Sequence, residues 1–188
     1  MKKILLFLVM CFSLNVFAQV DIKSVKRINF YGVDFSHANL YGLKEYPDDI
    51  KNGLERINYL FTTEKKKYDI GKYFQMEEVF YCLETTDERN SRLSIKKMLS
   101  NKEFIELNDS QILETISGLD CDNNECGLVL IAENLNKKDE KATYLVVFFD
   151  GETKEIIYSK RSSGRALGIG VRNHWAGSIY GLMKNWKY

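Results

Sequence analysis

The chain has almost no net charge, and this excludes several kinds of partner. Its formal net charge is +1, from 27 Lys and Arg against 26 Asp and Glu. Such a chain lacks the basic footprint of a nucleic-acid-binding protein. It also lacks a polybasic block that would hold it on a membrane surface. We therefore expect neither nucleic-acid binding nor electrostatic attachment to lipids.

Motifs of common catalytic and cofactor sites are also missing. No glycine-rich stretch has the spacing of a phosphate-binding loop or of a dinucleotide site. No G-x-S-x-G elbow supports a Ser-His-Asp triad, and no second Cys or His pair accompanies Cys121 and Cys126 at zinc-ligand spacing. The sequence therefore predicts no cofactor, no metal and no recognisable catalytic constellation.

Long hydrophobic runs are scarce, and the one near the start is short. Residues 4–11 are apolar, follow Lys2 and Lys3, and precede a stretch that ends in Val16-Phe17-Ala18. This arrangement is typical of a secretory signal peptide, and the run is too short to span a membrane. We expect cleavage after residue 18, no transmembrane segment, and a single domain over residues 19–188 with a net charge of −1.

The alternative is a lipoprotein signal with Cys11 as the lipidated residue. Leu8 and Val9 suit such a signal, but Met10 stands where a small residue is expected. The paired lysines and the Phe-Ala-Gln ending resemble signals of Gram-negative bacteria. The expected location is therefore the periplasm or the extracellular space.

Three cysteines follow the predicted signal peptide. In an oxidising compartment Cys121 and Cys126 could close a small loop as a disulfide. Cys82 lies in an apolar run and is predicted to be a buried free thiol.

The loop around these cysteines is rich in oxygen ligands. Asp120, Asp122 and Asn124 alternate as at the start of a calcium loop. An EF-hand would then need glycine at position 125 and glutamate at position 131, where this chain has Glu125 and Ile131. We predict a plain turn.

Hydrophobic periodicity predicts alternating strands and helices. Strands are expected at residues 25–35, 78–85, 128–132, 143–149 and 156–163, and helices at residues 47–61, 87–99, 109–118 and 171–187. This order favours an α/β domain, with α+β as the alternative. The sheet should be mixed, with antiparallel strands in its C-terminal part and a closing amphipathic helix.

Residues 141–187 form the clearest unit of the sequence. An apolar strand, the turn Asp150-Gly151-Glu152-Thr153, a second strand, a glycine-rich link and an amphipathic helix follow one another. This order resembles the end of the small α/β domain of bacterial envelope proteins, such as the TolB amino-terminal domain and the CsgG-like secretion lipoproteins. In those proteins the turn reads Asp-x-x-Thr-Gly-Glu, an order that is scrambled here. The resemblance implies a small α/β domain that works in the envelope.

Four residues are candidate site residues. Asp34 lies near the end of the first strand, and Ser36 and His37 follow that strand. Ligands of α/β folds favour this end of a strand, so the three residues could form a polar cluster there; the alternative is a solvated loop. Arg165 lies in a glycine-rich loop before the last helix, whose backbone amides could hold an anion; the loop could equally serve only a close strand-to-helix approach. His174 shares a helix flank with three glycines, away from the apolar face, and is either a ligand or a hydrogen-bonded boundary residue.

Two functions of different class follow. The first is an exported, non-catalytic binding or assembly module whose partner is another envelope protein or a peptide, since the chain is rich in the aromatic residues of contact surfaces. The alternative is a small secreted hydrolase that uses His37 or His174 with an aspartate. The oligomeric state does not follow from the sequence.

Overall fold

A computed structural model describes residues 21–188, so the predicted signal peptide lies outside the described residues. The strands are β1 (Arg27–Asp34), β2 (Asn39–Tyr41), β3 (Glu78–Tyr81), β4 (Leu99–Ser100), β5 (Cys126–Asn136), β6 (Lys141–Phe149) and β7 (Ile156–Arg165). The helices are α1 (Pro47–Glu55), α2 (Tyr59–Thr63), α3 (Ile70–Phe74), α4 (Glu84–Ser91), α5 (Ile95–Met98), α6 (Asp109–Ser117) and α7 (Val171–Lys184). Within this part of the chain, no helix is both long enough and apolar enough to cross a membrane.

The sheet is built around the long strand β5. Strands β1 and β2 follow one another along one side of β5, and β3 and β4 lie outside them; these four pairings are all parallel. On the other side, β6 is antiparallel to β5 and β7 is antiparallel to β6. The predicted α/β class with a mixed sheet agrees with the structure, and parallel pairings are the majority.

The central strands are covered on both faces. Leu128 and Leu130 of β5 lie in the larger core with α1, α2, α3 and α7. Val129 and Ile131 lie in a smaller core on the opposite face with α6. Neighbouring residues of a strand point to opposite faces, so an uninterrupted apolar run indicates a strand buried on both sides.

Helix α7 closes the larger core and lies across β7 and β6. Trp175, Ile179 and Leu182 are fully buried, as its apolar spacing predicts. Two glycines also let α7 pack closely against the rest of the chain. A Cβ atom at Gly164 of β7 would lie 1.8 Å from a backbone oxygen of α7, and one at Gly177 would lie 2.1 Å from the Leu167 oxygen. Gly164 and Gly177 therefore serve close backbone approach within the chain.

Two predicted helices are each broken in two, and a buried asparagine lies close to each break. The single helix expected over residues 47–61 divides into α1 and α2, and the helix over residues 87–99 divides into α4 and α5. Strand β3 pairs with β1 only as far as Phe30. Beyond that point, Asn58 accepts from the Val33 amide at 2.8 Å, and Asn90 accepts from the Phe35 amide at 3.0 Å. Since buried backbone groups need partners, these two side chains substitute for a neighbouring strand.

A buried carboxylate fastens the link between β4 and α6 to the sheet. Glu133 is fully buried and accepts two hydrogen bonds from Arg161, at 2.7 and 2.9 Å, and one from the Leu107 amide at 3.0 Å. A buried charge needs such compensation. Residues 104–107 belong to no strand, and these contacts hold them against the sheet.

The predicted cysteine pairing is wrong. Cys82 and Cys121 form the disulfide, with 5.9 Å between their Cα atoms, and Cys126 is the free thiol. Cys82 and Cys121 both border the smaller core, whereas Cys126 borders the larger one. The sheet therefore separates the two cysteines that the sequence brings closest together. Burial raises the pKa of the Cys126 thiol to about 12.

Candidate functional site: a pocket at the carboxyl end of β1

A pocket that is lined in part by His37, one of the predicted site residues, lies where β1 ends. Because β1 and β3 are parallel, the segments that follow them leave the sheet at the same edge, which is where ligands of α/β folds bind. The pocket has a volume of about 360 Å³. We call it the strand-end pocket; it is lined by Ser36, His37, Arg89, Arg92, Leu93, Ser94, Lys97, Met98, Glu114 and Thr115.

Asp34 lies beneath this pocket and binds two of its lining residues, Ser36 and Arg89. Its fully buried carboxylate accepts hydrogen bonds from the Ser36 amide at 2.8 Å and from the Ser36 hydroxyl. Arg89 of α4 donates to the other carboxylate oxygen at 3.1 Å, and to the Thr115 carbonyl at 2.7 Å. One buried carboxylate thus holds the guanidinium in the wall of the pocket and ties β1, α4 and α6 together.

His37 turns away from Asp34 and towards α6. Its Nε2 atom lies 3.7 Å from the Glu114 carboxylate, and its Nδ1 atom lies 3.5 Å from the Gln111 side-chain amide. The sequence placed Asp34, Ser36 and His37 in one polar cluster. The structure joins Asp34 with Ser36 and brings His37 into the same pocket, but with a different acidic neighbour.

The lining carries more positive than negative charge. Arg89, Arg92 and Lys97 face one acidic residue, Glu114. Asp34 neutralises Arg89, and Glu88 pairs with Arg92. Lys97 has no ion-pair partner among the described residues.

The pocket also has an apolar part. Leu93, which is buried, and Met98 belong to its lining. An acidic group next to an apolar side chain would match this combination of charge and surface.

Arg165 does not belong to an anion site at the start of α7. Its guanidinium is exposed and lies 3.4 Å from the Glu140 carboxylate. The cavity beside the first turn of α7 is lined by other arginines, Arg56 and Arg172, together with two acidic residues, and not by Arg165. The glycine-rich link before α7 serves close packing, which is the alternative that the sequence left open.

His174 is a core residue, not a boundary residue. It is 5% exposed, and its Nε2 atom lies 3.2 Å from the Lys137 ammonium. Burial, together with the charge of Lys137, lowers the pKa of this imidazole below its usual value. The sequence placed His174 off the buried face of α7, which is wrong because Gly177 draws the Leu167 backbone onto that flank.

The loop over residues 120–127 is a turn held by local hydrogen bonds. Asp120 accepts from the Cys121 amide at 2.9 Å, and Asn123 accepts from the Glu125 amide at 3.0 Å. In the part of the chain that the structure describes, no cluster of three or more His, Cys, Asp or Glu side chains is placed to hold a metal ion.

Sequence reasoning misses most of the pocket. Arg89, Arg92 and Lys97 stand in a segment whose pattern predicts only a helix, and Glu114 lies on a different helix. One feature of the sequence could have located these residues, namely the order of its strands. If the first two long strands are parallel neighbours, the segments that follow them must share an edge of the sheet, which places residues 84–98 beside His37.

Comparison with known proteins gives no family for this chain. No family model, curated protein or solved structure matches it. Its function is therefore inferred from the geometry and charge of the strand-end pocket.

Proposed function

We propose that this protein is an exported, non-catalytic binding or assembly module of the bacterial envelope. Its strand-end pocket takes an acidic side chain and a neighbouring apolar side chain from an extended segment of a partner protein or peptide. The observation that carries the proposal is Lys97, a cation without an ion-pair partner in the described chain, beside apolar Leu93 and Met98.

Several features support an envelope location. The first 18 residues have the pattern of a signal peptide. The Cys82–Cys121 disulfide is of the kind that persists in oxidising compartments. Strands β6 and β7 followed by α7 have the order that suggested the resemblance to TolB-like and CsgG-like envelope proteins.

The contacts in the pocket favour binding over hydrolysis. A serine nucleophile needs a base within hydrogen-bonding reach, but the Ser36 hydroxyl donates to Asp34, which Arg89 already occupies. His37 is 3.7 Å from the mostly exposed carboxylate of Glu114, a longer distance than the hydrogen bond that orients a catalytic histidine. A hydrolase would have to use His37 to activate water directly.

Charge and volume favour a peptide segment as the occupant. A volume of about 360 Å³ is near the lower limit for a small-molecule pocket and admits one or two side chains. The ammonium of Lys97, which has no ion-pair partner in the described chain, favours acidic partners. The partner motif is therefore an Asp or Glu next to a Leu, Ile, Met or Phe.

The test is a selection of displayed random peptides against the chain over residues 19–188. Enriched peptides should contain an acidic residue beside an apolar one. Lys97→Glu should raise their Kd at least about tenfold, which corresponds to about 1.4 kcal/mol. The matched control is Lys66→Glu, the same charge change at an exposed lysine outside the pocket.

Equal affinity of both variants for the selected peptides would contradict the proposal. So would a selection without acidic residues. Hydrolysis of p-nitrophenyl acetate by the wild-type chain, lost in His37→Gln, would favour the hydrolase.

A further inference from the structure

Strand β7 forms a long edge of the sheet. Among the described strands it pairs with β6 alone, and it extends over 10 residues. The other two edges of the sheet are the short strands β3 and β4, of 4 and 2 residues. A short edge strand offers few backbone groups to a second chain, whereas a long one offers a continuous row. The outer side of β7 is therefore the place where a further strand could be added.

The hydrogen-bond pattern shows which residues of β7 face outwards. The Ala166 amide donates to the Glu140 carbonyl at 2.6 Å, and the pairing of β7 with β6 continues without a shift from residue 165 back to residue 158. Hydrogen-bonded pairs alternate along an antiparallel ladder, so the even-numbered residues of β7 turn their N–H and C=O groups towards β6. The same groups of the odd-numbered residues point away from the sheet, namely those of Ser159, Arg161 and Ser163.

These outward backbone groups have no backbone partner in the structure. No backbone–backbone hydrogen bond from elsewhere in residues 21–188 reaches them. Ser159 and Arg161 are exposed, and Ser163 is half-buried. Backbone N–H and C=O groups bond strongly wherever a partner is offered. An extended chain alongside β7 would pair with all of these groups, which is how several domains recognise peptides.

Charge decides between a second copy of this chain and a different partner. Strand β7 carries the cations Lys160, Arg161 and Arg165 and no acidic residue. Acidic residues compensate the two arginines, whereas the Lys160 ammonium has no ion-pair partner in the described chain and donates to the Lys187 carbonyl. In a two-fold pair of β7 strands, the longest registers that join outward residues set Lys160 or Arg161 opposite its own copy. Like charges directly opposite each other destabilise a strand pair, so the edge disfavours a second copy and favours a strand with acidic residues.

We propose that the outer edge of β7 binds an extended segment of a partner protein as an additional strand, with an acidic residue of that segment opposite Lys160. The side chains of the added strand would alternate between the face that carries Tyr158 and Lys160 and the face that carries Ser159 and Arg161. This edge shares no residue with the strand-end pocket.

The probe is the peptide acetyl-Thr-Val-Glu-Val-Glu-Val-Thr-amide, added to the ¹⁵N-labelled chain over residues 19–188. One control peptide has the same sequence with its central amides N-methylated, which removes the donors of a strand and keeps the charge. The other has Gln in place of Glu. Amide shifts and hydrogen exchange are followed by NMR. In the free chain, the amides of Ser159, Arg161 and Ser163 should exchange faster than those of Lys160 and Ser162, which bond to β6.

We expect the probe to shift the amide signals of β7 to saturation and to slow exchange at the three outward amides. The N-methylated peptide should not bind, and the Gln peptide should bind about threefold more weakly, as for a partly exposed ion pair.

Two variants test the backbone and the charge separately. Ser163→Pro removes an outward donor and leaves the β6 ladder intact, so it should raise the Kd at least about tenfold, whereas Ser163→Thr keeps the N–H and should bind like the wild type. Lys160→Glu leaves the backbone unchanged and should raise the Kd at least about threefold. The same charge change at an exposed lysine outside the edge, Lys66→Glu, should have no effect. Urea midpoints confirm that each variant is folded.

Four results would overturn the proposal. The first is slow exchange of the outward amides in the free chain, which would mean that the edge is already paired. The second is no saturable shift, or shifts that cluster at His37 and Lys97 instead of β7. The third is equal binding of the N-methylated peptide, and the fourth is unchanged affinity in Lys160→Glu. These outcomes concern an edge remote from the strand-end pocket in the lining of that pocket, so they are distinguishable from failure of the proposed function.

Discussion

Replacing Gly164 by alanine should destabilise the protein, because this glycine sets the distance between β7 and α7. The added Cβ would lie 1.8 Å from the Ser178 oxygen and 2.8 Å from the Leu182 nitrogen. Real Cβ contacts are essentially never shorter than 3.0 Å, so α7 must move outwards by more than 1 Å. Overpacking of this kind costs about 1–3 kcal/mol, a large fraction of a total stability of about 5–15 kcal/mol.

The assay is urea unfolding followed by tryptophan fluorescence. With an m value of about 2 kcal/mol per molar urea, the midpoint should fall by about 0.5–1.5 M. Gly181→Ala is the matched control, since its nearest neighbour would be 3.4 Å away and alanine is the better helix former. A wild-type midpoint for Gly164→Ala, or a larger loss for Gly181→Ala, would refute this crossing of α7 over β7.

Three further predictions concern other parts of the chain. The pKa of His174 is lowered in the folded state. The neutral imidazole therefore contributes to stability above about pH 6.5, and this contribution is lost as the pH falls through the folded pKa. The urea midpoint should fall less between pH 8 and pH 5 in His174→Gln than in the wild type. Thiol titration of the denatured, unreduced protein should find one thiol, Cys126, and Cys82→Ser should cost about 4 kcal/mol because the disulfide closes a separation of 39 residues; three titratable thiols would contradict the pairing. Terminal sequencing of the exported protein should begin at Gln19, and a lipid-modified start at Cys11 would disprove this cleavage site.

Much of the fold follows from local patterns in the sequence. The apolar runs predicted β5 and β6 because a strand buried on both faces needs no polar alternation. The spacing of Trp175, Ile179 and Leu182 predicted the buried face of α7. A helix was expected from residue 109, and Asn108 forms a capping box with Gln111 at the start of α6.

The remainder of the fold depends on contacts that are distant in sequence. Asn58 interrupts a continuous apolar helical stripe because the β1 backbone, 25 residues earlier, lacks a strand partner. No local sequence pattern around Asn58 indicates that the β1 backbone needs a hydrogen-bond partner. The disulfide is a similar case, since the face of the sheet, and not the sequence spacing, decides which cysteine Cys121 meets.

The candidate site was predicted in part. Asp34 and His37 were identified from their place at the end of the first strand; His37 lines the strand-end pocket and Asp34 lies beneath it. The cations opposite them come from α4 and the segment after it, so their position depends on the parallel pairing of β1 with β3. The sequence suggests that pairing only through the order of its elements.

The most direct test of the proposed function is a map of amide chemical-shift changes when a selected acidic peptide is added to the chain over residues 19–188. We expect the largest changes to cluster at His37, Arg92, Leu93, Lys97 and Glu114, and to disappear in Lys97→Glu. Changes that cluster along the outer edge of β7 or around Trp186, with the strand-end pocket unaffected, would contradict it.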